Sequence, residues 1–215
     1  PKEYKGPKPI ADQIKAIAEV FDLDPSQAIK FAKNLPALPE GAEGWFAIPK
    51  WQTLAPTYGE AVEKMLAMIT SKRKLYTYRD GQLGAKYLRQ LAKTVEAFKK
   101  LGDEQKGHDI LIVPCQFGLR HRGRSVCRAR EVMNANEFGL GAFAVGCMIL
   151  THPEREVQWE QLHVDCVGDE FDPGADDGFS IAPIFYFGGG MVGFHSHWFY
   201  CADGYNGSVS GFLSQ

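Results

Sequence analysis

Hydrophobic positions along the first hundred residues repeat at helical spacing. Ile10, Ile14, Ile17, Ala18 and Phe21 form one apolar stripe, ended by Asp22-Leu23-Asp24. Asp24-Pro25-Ser26-Gln27 then supplies an N-cap, a proline at the first helical position and a capping-box glutamine, so a second short helix is predicted to about Asn34. Leu35-Pro36-Ala37-Leu38-Pro39-Glu40-Gly41 reads as a rigid connector. This divides the chain into a helical hairpin appendage over 1–40 and a main domain over 41–215. Thr57-Tyr58-Gly59-Glu60 is a further capping box, and Ala61, Val62, Met65, Leu66 and Ile69 continue as a helix to about Lys72. From Ala85, the spacing of Leu88, Leu91, Val95 and Phe98 predicts another helix, with Gly102 as its C-terminal glycine. Asp109-Ile110-Leu111-Ile112-Val113 reads as a buried strand ended by Pro114, and Ser125 caps a helix bearing Val126, Ala129, Val132 and Met133.

Beyond Asn136 the periodicity changes. Thirteen of the 23 glycines lie there, and short apolar runs alternate with turn signals. Strands are predicted at 142–150, 162–167, 184–187 and 191–200, the last two forming a hairpin through Gly188-Gly189-Gly190. The fold class is therefore α+β, with a helical basic N-terminal half packed on a glycine-rich, mostly antiparallel C-terminal sheet.

With 45% hydrophobic and 23% charged residues among 215, the composition excludes a disordered or fibrous chain. No apolar run reaches membrane-spanning length, and Pro1-Lys2-Glu3-Tyr4-Lys5 has no apolar signal core, so the chain reads as soluble and cytoplasmic, with no membrane partner. Five cysteines without a C-x-x-C pair indicate neither a disulfide framework nor a zinc ribbon.

Net charge is −2, but residues 1–130 hold 23 Lys/Arg against 14 Asp/Glu, whereas 131–215 hold 1 against 12. A positive field of that kind attracts anionic partners unless the two halves neutralise each other. Cys115-Gln116-Phe117-Gly118-Leu119-Arg120-His121-Arg122-Gly123-Arg124 lies between the buried strand and a helix start, an arrangement that suits phosphate. Arg120, Arg122, Arg124 and Arg128 are the candidate phosphate ligands. Lys72, Arg73 and Lys74 extend the track, and Tyr76 and Tyr78 are placed to stack on unpaired bases. The leading expectation is binding of RNA, DNA or another phosphate-bearing ligand.

Other readings belong to different classes. The segment from Cys115 resembles the catalytic loop of cysteine-dependent phosphatases, although Arg120 follows Cys115 after four residues, Arg122 after six, and His121 stands where that family has arginine. The resemblance implies a nucleophilic Cys115 and a hydrolase. His195-Ser196-His197 and His163-Val164-Asp165 each place two ligand types on one strand face. If those strands are neighbours, His163, Asp165, His195 and His197 converge on a divalent metal for a hydrolase or oxygenase. Gly189 followed by His195 and His197 also resembles the first motif of cupins, with Cys201 and Ala202 where that family has its glutamate. A divalent metal is the one cofactor these patterns suggest; no organic cofactor is implied. Residues 14–35 resemble the two-helix part of ribbon-helix-helix repressors, but Pro7 and Pro9 occupy the place of the DNA-reading strand. Asp169 to Gly178 is an acidic loop that departs from the EF-hand spacing, and no Walker A, G-x-G-x-x-G, G-x-S-x-G or H-E-x-x-H pattern occurs. A third class, a structural module that binds a protein partner, requires none of this chemistry.

Overall fold

The computed structural model describes residues 4–156 and 158–214. The first three residues of the expected 1–40 segment and of the Pro1 to Lys5 start lie outside them, as do Val157 and Gln215. The protein is α+β. The elements in chain order are α1 (Ile10–Phe21), α2 (Ser26–Phe31), β1 (Gly44–Pro49), α3 (Tyr58–Lys72), β2 (Leu75–Thr77), β3 (Leu88–Gln90), α4 (Ala92–Glu104) and β4 (Ile110–Gln116). There follow α5 (Val126–Val132), β5 (Glu137–Gly139), α6 (Ala142–Thr151), β6 (His163–Asp165), β7 (Asp169–Phe171), β8 (Ile181–Gly188), β9 (Met191–Trp198), β10 (Asn206–Ser208) and β11 (Ser210–Phe212).

Two sheets carry the strands. The first is antiparallel, in the order β1-β4-β11-β5. In the second, β8 is central: β9 pairs along one edge and β2 continues parallel beyond it, while β6 and then β10 lie on the other edge, above β7 and β3. The chain crosses between the sheets at Val209, whose amide bonds the Asp165 carbonyl while its own carbonyl accepts from Leu140.

Several expected boundaries shift for identifiable reasons. The run at 142–150 is α6, not a strand. All ten of its residues are buried, packed on α1, α3 and β1. A helix enclosed on every side has no polar face, and so no helical period to read. At Gly146 an added Cβ would collide with the Met65 sulfur, which is why α3 and α6 approach so closely there. Residues 88–90 form β3, so α4 begins only at Ala92 and runs past Gly102. The strand at 109–113 continues through Pro114 to Gln116. That is tolerated because β11 reaches β4 only at Cys115 and Gln116, so the missing Pro114 N–H falls outside that pairing.

The caps at Thr57 and Ser125 form as the sequence signals, each side chain accepting from the amide three residues on. The 1–40 segment is built into the body: Ile14 and Ile17 are buried in the core shared by both sheets. The Gln13 amide donates to the carbonyls of Lys8 and Trp45 and accepts from the Ala47 N–H, tying α1 to β1. Among the described residues no helix is long and apolar enough to cross a membrane.

Candidate nucleic-acid interface

Strand alternation separates the second sheet into two faces. Val192 and Phe194 of β9, Phe185 of β8 and Val164 of β6 turn into the core. Tyr76 on β2, His195 and His197 on β9, Ile184 and Tyr186 on β8, and His163 and Asp165 on β6 therefore share the outer face. Helix α5 covers one end of that face through Val126, packed on Val167 and Ala182. The other end is open and aromatic.

There, Tyr76 and Tyr78 meet edge to face at 4.6 Å, and Tyr78 stacks on His195, also at 4.6 Å. Trp159 meets His163 at 4.9 Å, and His163 approaches Tyr186 at 5.8 Å. Tyr186 lies flat over Gly193, where any Cβ would collide with its ring. Burial, together with hydrogen bonding to Tyr78, pushes the Tyr186 phenol up to about 12. A groove of about 370 Å³ results, lined by Tyr76, Tyr78, Tyr186, Gly188, Met191 and Gly193. Tyr76, Tyr78 and Trp159 are 53%, 50% and 53% exposed. Aromatic surface of this extent costs free energy in water unless a ligand covers it.

Cations lie at the two outer edges of this sheet, beyond the groove. Lys72 and Lys74 flank the start of β2 and are exposed without an ion pair among the described residues. Four inter-strand steps away, about 19 Å at ordinary sheet spacing, the arginine loop is fastened to β10. Gly123 N donates to the Asn206 carbonyl, Arg122 Nε donates to the Gly204 carbonyl, and Gly207 lies so close to the Gly118 carbonyl that a Cβ would not fit. Arg122 and Arg124 stay exposed, and bonding to carbonyls leaves the Arg122 charge unneutralised.

The remaining candidates have other partners. Arg120 turns toward Glu137 at 3.3 Å, Arg128 pairs with Glu131, and Arg73 donates to the carbonyls of Pro153, Arg155 and Glu156, clamping the loop that leads to Trp159. Glu137 is fully buried and accepts from His121 Nε2 at 2.7 Å and from the Ser210 hydroxyl at 2.6 Å. A guanidinium only donates, so the 2.8 Å bond from Arg124 makes His121 Nδ1 an acceptor and leaves the ring proton on Nε2. Burial opposes ionisation of Glu137, but the hydrogen bonds from His121 and Ser210 outweigh it and hold the carboxyl at about 2.

Cys115 is not the nucleophile that the phosphatase-like segment implies. It is buried in the core, its sulfur donates to the Val113 carbonyl, and burial with Glu43 nearby pushes the thiol well above its usual range. Of the four metal candidates, only His197 and Asp165 meet, across β8, while His163 and His195 have other partners. His163 approaches the Trp159 carbonyl, His195 accepts through Nδ1 from Arg79 and Ser196, and His197 reaches over the small Ala182 to Asp165 at 2.7 Å. Among the described residues no three His, Cys, Asp or Glu side chains are grouped to hold a metal. Comparison with protein-family models, curated proteins and solved structures gives no match for this chain.

Burial opposes the charge on His197, but the hydrogen bond and negative charge of Asp165 prevail and raise the imidazole above its ordinary value of 6.5. Its contribution to stability is therefore complete below about pH 6.5 and lost as pH rises through the folded-state value. Urea unfolding of the protein and of His197→Gln between pH 5.5 and 8.5 should show the difference between them shrinking as pH rises; a constant difference would contradict the pairing.

Tyr186 and Trp159 join the site only through the fold. Tyr186 is legible as the outward member of the alternating 184–187 run, whereas Trp159 stands in a polar loop with no periodic signal.

Proposed function

We propose that the outer face of the second sheet binds single-stranded nucleic acid. Bases stack on Tyr76, Tyr78 and Trp159, while phosphates are met by Lys72 and Lys74 at one edge and by Arg122 and Arg124 at the other. The observation that carries this reading is the placement of two half-exposed tyrosines in the groove, with half-exposed Trp159 against His163 on the same face, on a sheet whose two outer edges carry cations. Stacking platforms flanked by a positive track are how single strands are held without strict sequence preference, because every base offers a ring face. A duplex keeps its bases stacked internally and has no ring face to offer this groove.

Arg120 and Arg128 are assigned to carboxylate partners and half-buried Arg73 to three carbonyls, whereas Arg122 and Arg124, though hydrogen-bonded, are exposed and meet no carboxylate. Fluorescence anisotropy with a labelled single-stranded oligonucleotide over a salt series tests the reading. Affinity should fall linearly on logarithmic axes, and Arg122→Glu with Arg124→Glu should reduce that slope by about 0.7 for each phosphate no longer neutralised. Equal affinity for a duplex, or an unchanged slope in the double variant, would remove the proposal.

A further inference from the structure

A second cavity, which shares no lining residue with the tyrosine groove, opens between α4, the β1 and β4 pair and the start of α6. Its volume is about 490 Å³, within the range of small-molecule sites. The walls are apolar: Ile48, Leu111, Val95, Phe98 and Phe143, with Trp51 at the side. The Tyr58 hydroxyl closes one side, and it has no donor to spare. It donates to Asp169 at 2.7 Å and accepts from the Phe143 amide.

Asp169 behind it is fully buried, and its Oδ2 also accepts from the Ala142 amide. Burial raises that carboxyl to about 7. An acidic group on a ligand would find no free donor there and a carboxyl close by. The mouth is different. Lys50 and Lys99 both line it, but Lys99 is paired with Asp103 at 2.9 Å, whereas Lys50 has no ion pair among the described residues. Near Lys50, His108 is kept below its ordinary value by burial and by that ammonium.

We infer that this cavity binds a small amphipathic carboxylate, its apolar chain or ring against Phe98, Phe143 and Leu111 and its acidic head on Lys50. A free cation at the rim of an apolar pocket complements that ligand class. A neutral alcohol of the same chain would leave the ammonium unpaired, and a cation would be repelled.

Isothermal titration of the full chain with decanoate, kept below its micelle concentration, and with decan-1-ol tests the assignment. Decanoate should bind more tightly than the alcohol by about tenfold, a charge-assisted contact of roughly 1.4 kcal/mol. Lys50→Met should remove that advantage. Val95→Trp, at a position 49% exposed on the lip and so tolerant of substitution, should fill the cavity and abolish binding. Absence of decanoate binding, equal affinity for the alcohol, or unchanged binding in folded Lys50→Met and Val95→Trp proteins would each overturn the inference. None of these variants touches the tyrosine groove, so oligonucleotide binding should be unchanged in both.

Discussion

Replacing Glu137 with alanine is expected to destabilise the protein by about 2–5 kcal/mol, because two buried donors, His121 Nε2 and the Ser210 hydroxyl, would be left unsatisfied at roughly 1–3 kcal/mol each. The carboxylate gathers His121, Arg120, the Ser210 hydroxyl and the Asn134 amide, and it is wholly shielded from water. Without it, a buried histidine and a hydroxyl lose their acceptor together. Glu137→Gln should cost less, since an amide oxygen still accepts.

The pH dependence has a definite sign. Glu137 titrates lower in the folded protein than in the unfolded chain, so its contribution is present above about pH 4.5 and lost as pH falls toward about 2. Urea midpoints measured from pH 7 to pH 2.5 should fall for the wild type, and that acid limb should be weaker in Glu137→Gln. Parallel curves would show that the carboxylate is not held as described. The network also fastens the arginine loop to β11, so the alanine variant should bind oligonucleotides more weakly even where it remains folded.

The Tyr76→Ala, Tyr78→Ala double variant should bind a single-stranded oligonucleotide at least about thirtyfold more weakly, because each base stack removed is worth about 1–3 kcal/mol. Both rings are half exposed, so folding should change little, which a thermal melt would check. Phenylalanine at both positions retains the ring faces and should retain most of the affinity. Its salt slope should match that of the wild type, since every cation of the phosphate track is still in place. Undiminished affinity in the alanine variant would place the nucleic acid elsewhere on the protein.

Local signals in the chain were sufficient for the elements whose stabilisation is itself local. The stripe of α1, the caps at Thr57 and Ser125 and the β8–β9 hairpin depend on spacing and on residues a few positions apart, and all are legible in the sequence. Lys72, Lys74, Tyr76, Tyr78 and the arginine loop were singled out by residue type alone, and their part in nucleic-acid binding is a proposal. Long-range packing decided the rest. Helix α6 has no polar face because neighbours enclose it on every side. The separation of the arginines into exposed (Arg122, Arg124) and internally paired (Arg73, Arg120) depends on carbonyls and a carboxylate far away in the chain. Cys115 faces the core and is shielded from solvent. Of the metal candidates only His197 and Asp165 meet, across β8, which is later in sequence than β6 and runs between β6 and β9. Spacing along a strand fixes which face a side chain takes, but strand order fixes which faces meet. That order is settled by burial of the whole apolar surface at once, which no short stretch of sequence encodes.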